Sequence, residues 1–171
     1  MRWPGRSSLT PELREALGLQ AGERVLAITH DPDGRAVVAT DRDLMLQRRP
    51  PAYERIGWDT IDKATYADGV LRVTRVDESG VSGGALRIPL PDPGSFPVVV
   101  RDRVTASIVV SQPVTLAEGQ AMRVVARRRP DLDVLAWGYV LDPGVDPTDP
   151  GVVRAAEAAV ASVRLEAGID E

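Results

Sequence analysis

His30 is the only histidine of the 171-residue chain, and it stands beside Asp31 and Asp33. An imidazole with neighbouring carboxylates is a minimal arrangement for general-base chemistry. The same residues also form His30-Asp31-Pro32-Asp33-Gly34, where proline fixes one φ and glycine accepts a positive one, so a surface turn is the favoured reading. One imidazole excludes sites built on two or three, and no serine stands in a Gly-x-Ser-x-Gly context. Gly80-Val81-Ser82-Gly83-Gly84 is glycine-rich but lacks the Lys-Ser/Thr of a phosphate loop, and it reads as a hairpin loop. Asp142, Asp146 and Asp149, with Thr148, offer oxygen ligands to a hard cation. Their spacing is not that of an EF-hand, and Asp149 suits a helix N-cap. The absence of cysteine removes thiolate metal sites and disulfides. No catalytic residue, metal ligand or cofactor is assigned on these grounds.

Binding chemistry has better candidates. Arg127, Arg128 and Arg129, joined by Arg48 and Arg49, could form a cationic patch for phosphate, an acidic protein or an anionic lipid head group. The alternative is a solvated strand end whose arginines pair with the many aspartates. Trp137, and likewise Trp58, is either a stacking platform or a core residue; flanking aliphatics favour the core. The net charge of −4 opposes nonspecific nucleic-acid binding, which requires a basic surface. Lys63 is the only lysine and asparagine is absent, a pattern of GC-rich codon usage that discounts the arginine bias as a functional signal. No stretch approaches the ~20 apolar residues of a membrane span, and the first residues lack a secretory h-region. The cytoplasm is the expected compartment.

The elements that must position these residues follow from pattern and punctuation. Thr10, Pro11 and Gly18 bracket a short helix with Leu13 and Leu17 on one face. From Arg24 to Leu90, short apolar runs separated by turn chemistry predict antiparallel strands about ten residues apart. A short helix over about 97–106 is read as running into a strand at about 107–116, followed by strands over Met122–Arg128 and Val134–Leu141. The last of these is apolar on both faces, which predicts a central strand. Asp149 and Pro150 then open a helix whose stripe Val152, Ala156, Val160 and Val163 should lie on a sheet; Gly168 ends it, with Ile169 placed to fold back.

The run Thr40-Asp41-Arg42-Asp43-Leu44, the segment Ile56-Gly57-Trp58-Asp59-Thr60-Ile61 and the sequel Asp68-Gly69-Val70-Leu71-Arg72-Val73 resemble bacterial pleckstrin-homology-like (PH-like) domains over about residues 22–90. With Arg101-Asp102-Arg103-Val104 and Asp142-Pro143-Gly144-Val145-Asp146-Pro147, the whole chain resembles an uncharacterised actinobacterial protein family. The resemblance implies a strongly bent seven-stranded antiparallel barrel capped by a helix. Lipid-binding members carry basic residues around the first hairpin. Here that hairpin is acidic apart from Arg35, so phosphoinositide binding by that route is not expected.

The expected architecture is α+β and mostly antiparallel. An N-terminal segment, 1–21, with a short helix precedes one β-rich domain, 22–171. That domain comprises PH-like strands (22–90), an additional helix/strand meander (91–141) and a C-terminal capping helix (150–167). The expected function is that of a non-enzymatic binding module for a protein or an anionic ligand, through Arg48, Arg49, Arg127, Arg128, Arg129 and Trp137. The alternatives are a small enzyme working through carboxylates such as Asp31 and Asp33, and a structural, oligomeric interaction protein.

Overall fold

The computed structural model describes residues 9–77, 81–130, 132 and 134–168. Helix α1 (Pro11–Leu17) starts where the Thr10 side chain accepts a hydrogen bond from the Leu13 N–H at 3.2 Å and stops at Gly18 in the left-handed region. Strands β1 (Val25–His30), β2 (Ala36–Thr40), β3 (Asp43–Arg49) and β4 (Ala52–Gly57) then form an antiparallel meander in that order. All five residues of β2 are buried, because both faces of the sheet are covered. Side chains alternate along a strand. Ala36 and Val38 therefore join Leu17 and Met45 under α1, while Val37 and Ala39 join Leu44 and Leu46 in the main core.

A 3-10 turn at Trp58–Thr60 leads into a second meander of β5 (Ile61–Ala67), β6 (Val70–Arg75) and β7 (Leu86–Pro89). The glycine-rich loop after β6 closes back on it. Val76 bridges Ser82, and the Gly83 N–H donates to the Arg75 carbonyl at 2.9 Å; Gly80 lies outside the described residues. Helix α2 (Phe96–Ser107) covers the space between the two sheets with Phe96, Val100 and Val104. The fully buried Trp58 fills the junction, its indole N–H donating to the Thr40 carbonyl at 3.0 Å. The interior of this body is packed with Leu44, Ile56, Ile61, Leu71 and Leu90.

The chain switches from helix to strand between Ser107 and Ile108. Strands β8 (Ile108–Thr115), β9 (Ala121–Arg128) and β10 (Leu135–Leu141) form a third antiparallel sheet in the order β10-β9-β8. Helix α3 (Pro150–Ala167) lies on it. Ala156 and Val163 are buried, and Val152 and Val160 pack beside them against Met122, Val124 and Leu141. Asp149 caps α3 by accepting from the Gly151 N–H at 2.6 Å, and Gly168 ends it with φ 61°. Ile169 lies outside the described residues.

The architecture is thus α+β, with three separate antiparallel sheets and a C-terminal helix; no closed barrel forms among the described residues. One expectation is corrected. The run Leu135–Leu141 is an edge strand, and β9 occupies the centre of its sheet. The apolar character of both faces of β10 has another cause. Trp137, Tyr139 and Leu141 pack on the α3 side, while Ala136, Gly138 and Val140 line a cleft against the 3-10 turn and the second sheet.

Candidate functional site

A cavity runs along β10. It holds about 500 Å³ and is walled by the end of the 3-10 turn, β5 and the exit of β6 on one side, and by α3 on the other. The residues with chemistry in it are Asp59, Asp62, Asp77, Arg127, Trp137, Tyr139 and Glu157. Their placement follows from the pleat. Arg127 stands opposite Ala136, and Trp137 stands opposite Ala126, so the guanidinium and the indole project from opposite faces of the sheet. Both reach one cavity because β10 is the edge and the cavity wraps around it.

Arg127 is buried, at 6% exposure, and its guanidinium is held by two elements. Its Nη2 approaches Asp62 Oδ1 of β5 at 3.3 Å, and its Nη1 donates to Ser107 Oγ at the end of α2 at 3.3 Å. Ser107 in turn donates to the Val104 carbonyl at 2.7 Å. Asp62 also accepts from Arg123 Nη2 at 3.0 Å, so a single carboxylate serves two guanidinia from β9. Burial lowers the Arg127 pKa, and the Asp62 charge works in the opposite direction. The guanidinium remains charged, as arginine does throughout the accessible range. The charge that faces the cleft at Arg127 is therefore already compensated from within the protein.

The other candidate arginines do not share this site. Arg128 is exposed and borders a smaller cavity of about 160 Å³ with Asp41, Trp58 and Arg103. Arg129 lies 3.9 Å from Asp59 and borders a cavity of about 280 Å³ with Arg42, Asp43 and Arg55. Asp43 begins β3, whereas Arg48 and Arg49 end it, which separates them from the Arg129 side by about 20 Å of strand. Arg48 pairs with Glu54 at 2.7 Å. The five arginines and Trp137 thus do not form one patch; the cleft keeps Arg127 and Trp137.

Asp59, Asp62, Tyr139 and Glu157 belong to the site and were not singled out by sequence. Asp59 lies in the quoted segment beside Trp58 and Asp62 directly follows it, but nothing local links Asp62 to an arginine 65 positions away. Glu157 carried a signal, as the charge that interrupts the alanine-rich stretch Ala155–Ala159 of α3.

The His30 neighbourhood is a turn. Asp31 Oδ1 accepts from the N–H groups of Asp33 and Arg35, both at 2.9 Å, and Arg35 pairs with Asp31 at 2.8 Å and Asp33 at 2.6 Å. Burial would raise the Asp31 pKa, but these bonds outweigh it and hold the carboxyl below its ordinary range. Neither aspartate lines any of the three cavities above. In the proline-rich loop, Asp146 Oδ1 accepts from the Thr148 N–H at 2.8 Å and hydroxyl at 2.7 Å, bonds that lower its pKa, and Asp149 caps α3. No group of three or more His, Cys, Asp or Glu placed to hold a metal ion occurs among the described residues. Among them, too, no helix is long and apolar enough to cross a membrane.

In comparisons with family models, curated proteins and solved structures, the chain matches none.

Proposed function

We propose that the chain is a non-enzymatic binding module whose partner is a protein, taken up in the cleft along β10. The body beneath the cleft is read as PH-like. That reading is supported by its strand order, a four-stranded meander, a three-stranded meander and then a helix, together with the Thr40–Ile61 motifs.

The observation that carries the functional reading is the composition of the cleft. Four carboxylates (Asp59, Asp62, Asp77 and Glu157) and one guanidinium line it, beside the rings of Trp137 and Tyr139. Aromatic walls with a few charged groups are a usual recipe for a recognition site. An anion is disfavoured there, since Arg127 is engaged by Asp62, and Glu157 adds a negative charge that makes no ion pair among the described residues. Of the two partner classes named by sequence, this favours a protein over an anionic head group. The non-enzymatic part of the proposal is supported by how the polar groups are used: Arg127, Asp62 and Ser107 satisfy one another and neighbouring backbone.

Flotation with phosphatidylserine-rich and phosphatidylcholine vesicles at low salt tests this, alongside NMR titration with basic and acidic peptides. The expected outcome is no flotation with either vesicle, and shifts of the Trp137 and Tyr139 signals by a basic peptide alone. Flotation that depends on phosphatidylserine would overturn the choice of a protein partner.

A further inference from the structure

The cleft follows the one side of β10 that has no strand beside it, and the register shows which backbone groups face it. The Asp142 N–H donates to the Ala121 carbonyl at 3.1 Å. Counting back in steps of two from that hydrogen-bonded pair gives Val140↔Arg123, Gly138↔Val125 and Ala136↔Arg127. In an antiparallel ladder these alternate residues exchange both bonds with the partner strand, and the residues between them point their N–H and C=O groups away. Trp137 and Tyr139 therefore present donor and acceptor pairs to the free edge, and both residues line the cleft. Among the described residues neither backbone has a hydrogen-bond partner on that side. The usual protections of an edge strand, such as lysine, proline or a bulge, do not occur between Leu135 and Leu141. The approach to the strand is apolar and open, with Leu132 46% and Val134 59% exposed.

Resting on the reading of the cleft as the binding site, we infer that its occupant is an extended segment of a partner protein that adds to the edge of β10 as a fourth strand and carries a basic side chain toward Glu157. Main-chain bonding to Trp137 and Tyr139 supplies the register, and side-chain pockets supply selection, as in other cases of strand addition. Charge selects the class of partner. Asp62 is shared by Arg123 and Arg127 and Asp59 has Arg129 at 3.9 Å, whereas Glu157, exposed on α3, makes no ion pair among the described residues and so favours lysine or arginine on the incoming strand. A second copy of the chain pairing edge to edge would set one acidic cleft against another, which like-charge repulsion disfavours.

The test uses the full chain and a capped heptapeptide that alternates valine with arginine, compared with the same peptide carrying glutamate for arginine. Hydrogen exchange and calorimetry are the readouts. In the free protein, the Trp137 and Tyr139 amides should exchange faster than those of Gly138 and Val140. The arginine peptide should then protect Trp137 and Tyr139, and Glu157→Lys should weaken its binding by about tenfold. Methylating the peptide nitrogens at one alternate set of positions should weaken binding by about tenfold, with the other set nearly silent, because only one set faces β10. Binding without protection of those amides, or equal effects of both methylated sets, would overturn strand addition and leave the cleft as a site. Equal binding of the glutamate peptide, or no binding of either peptide at about 1 mM, would overturn the basic strand. If neither peptide nor vesicle perturbs Trp137 or Tyr139, the cleft reading itself fails. Protection of the same amides in the peptide-free protein that rises with protein concentration would assign the edge to a second copy, and would equally overturn the inference.

Discussion

Arg127 of β9 and Asp62 of β5 meet at 3.3 Å, and this contact ties the third sheet to the body formed by the first two. Arg127 is buried and Asp62 is nearly so, with side-chain exposures of 7% and 12%. Burial makes the two halves unequal under mutation. Removing the anion leaves a guanidinium in low dielectric whose remaining hydrogen-bond partner among the described residues is the Ser107 hydroxyl, whereas removing the cation leaves Asp62 with Arg123 at 3.0 Å. Breaking a buried pair from one side typically costs about 3–5 kcal/mol, while an apolar replacement of similar volume can be near neutral. Asp62→Ala is therefore expected to lower stability by about 3 kcal/mol, and Arg127→Met by clearly less. Urea denaturation of the two variants measures this. Equal losses would show that the contact does not carry the asymmetry.

Trp58 sits at the hinge between the first two sheets, with both ends of the residue engaged. Its indole N–H bonds to the Thr40 carbonyl at 3.0 Å, and its own carbonyl lies 3.3 Å from Ser107 Oγ, sharing that hydroxyl's one proton with the nearer Val104 carbonyl. Trp58→Phe keeps most of the ring volume but leaves the Thr40 carbonyl unpaired in the core, at a cost of about 1–3 kcal/mol. Trp58→Ala opens a cavity as well, for about 3–5 kcal/mol. Chemical denaturation should rank them in that order.

Much of this frame was legible because it is written locally. Thr10, Pro11 and Gly18 around α1, and Asp149, Pro150 and Gly168 around α3, are capping signals confined to a few residues, and they lie where the chain folds accordingly. The helix-to-strand switch at Ser107 was likewise marked by a change in the period of the valines. The status of β10 was not legible. Apolar residues on both faces indicate that both faces are covered, but a strand can be covered on both faces and still lack a neighbour on one edge. The candidate site divides in the same way. Arg127 and Trp137 stood out as residue types, yet whether Arg127 faces solvent or Asp62 depends on a contact across 65 positions. Arg48 and Arg49 share only their residue type with it, since they stand at the end of β3 away from Asp43.

Glu23 links the segment after α1 to the sheet, and its ionisation should be visible in the acid limb of stability. Its side chain is fully buried, with Oε1 accepting from Arg55 Nη2 at 2.6 Å and Oε2 from the Gln20 N–H at 2.9 Å. Burial raises its pKa, but these bonds together outweigh burial and hold it below the ordinary value of 4.5. The unfolded chain, titrating at that ordinary value, binds the proton first. The stabilisation is thus complete above it and is lost as pH falls through the lower folded value. Glu23→Gln should lower stability at pH 7 by about 1–3 kcal/mol and flatten the fall in stability below about pH 5. Melting curves of both proteins between neutral and acid pH test this; parallel curves would mean that other carboxylates set the limb.

The fit of α3 on its sheet depends on small side chains, and Ala156 is where that is most demanding. It is fully buried against the cluster of Met122, Val124 and Leu141. A larger side chain there has no space unless the helix lifts. Overpacking of this kind costs about 1–3 kcal/mol, so Ala156→Leu should destabilise by that amount. Ala155→Leu, one residue away on the exposed side, should stay within about 0.5 kcal/mol of the parent. Glu157 and Val160 belong to the same helix and line the cleft, so lifting α3 would also move one wall of the binding site. The Ala156 variant should accordingly lose affinity for a basic peptide, and the Ala155 variant should keep it. Calorimetry at a temperature where both remain folded separates the two: unchanged affinity in Ala156→Leu would show that the position of α3 does not shape the cleft.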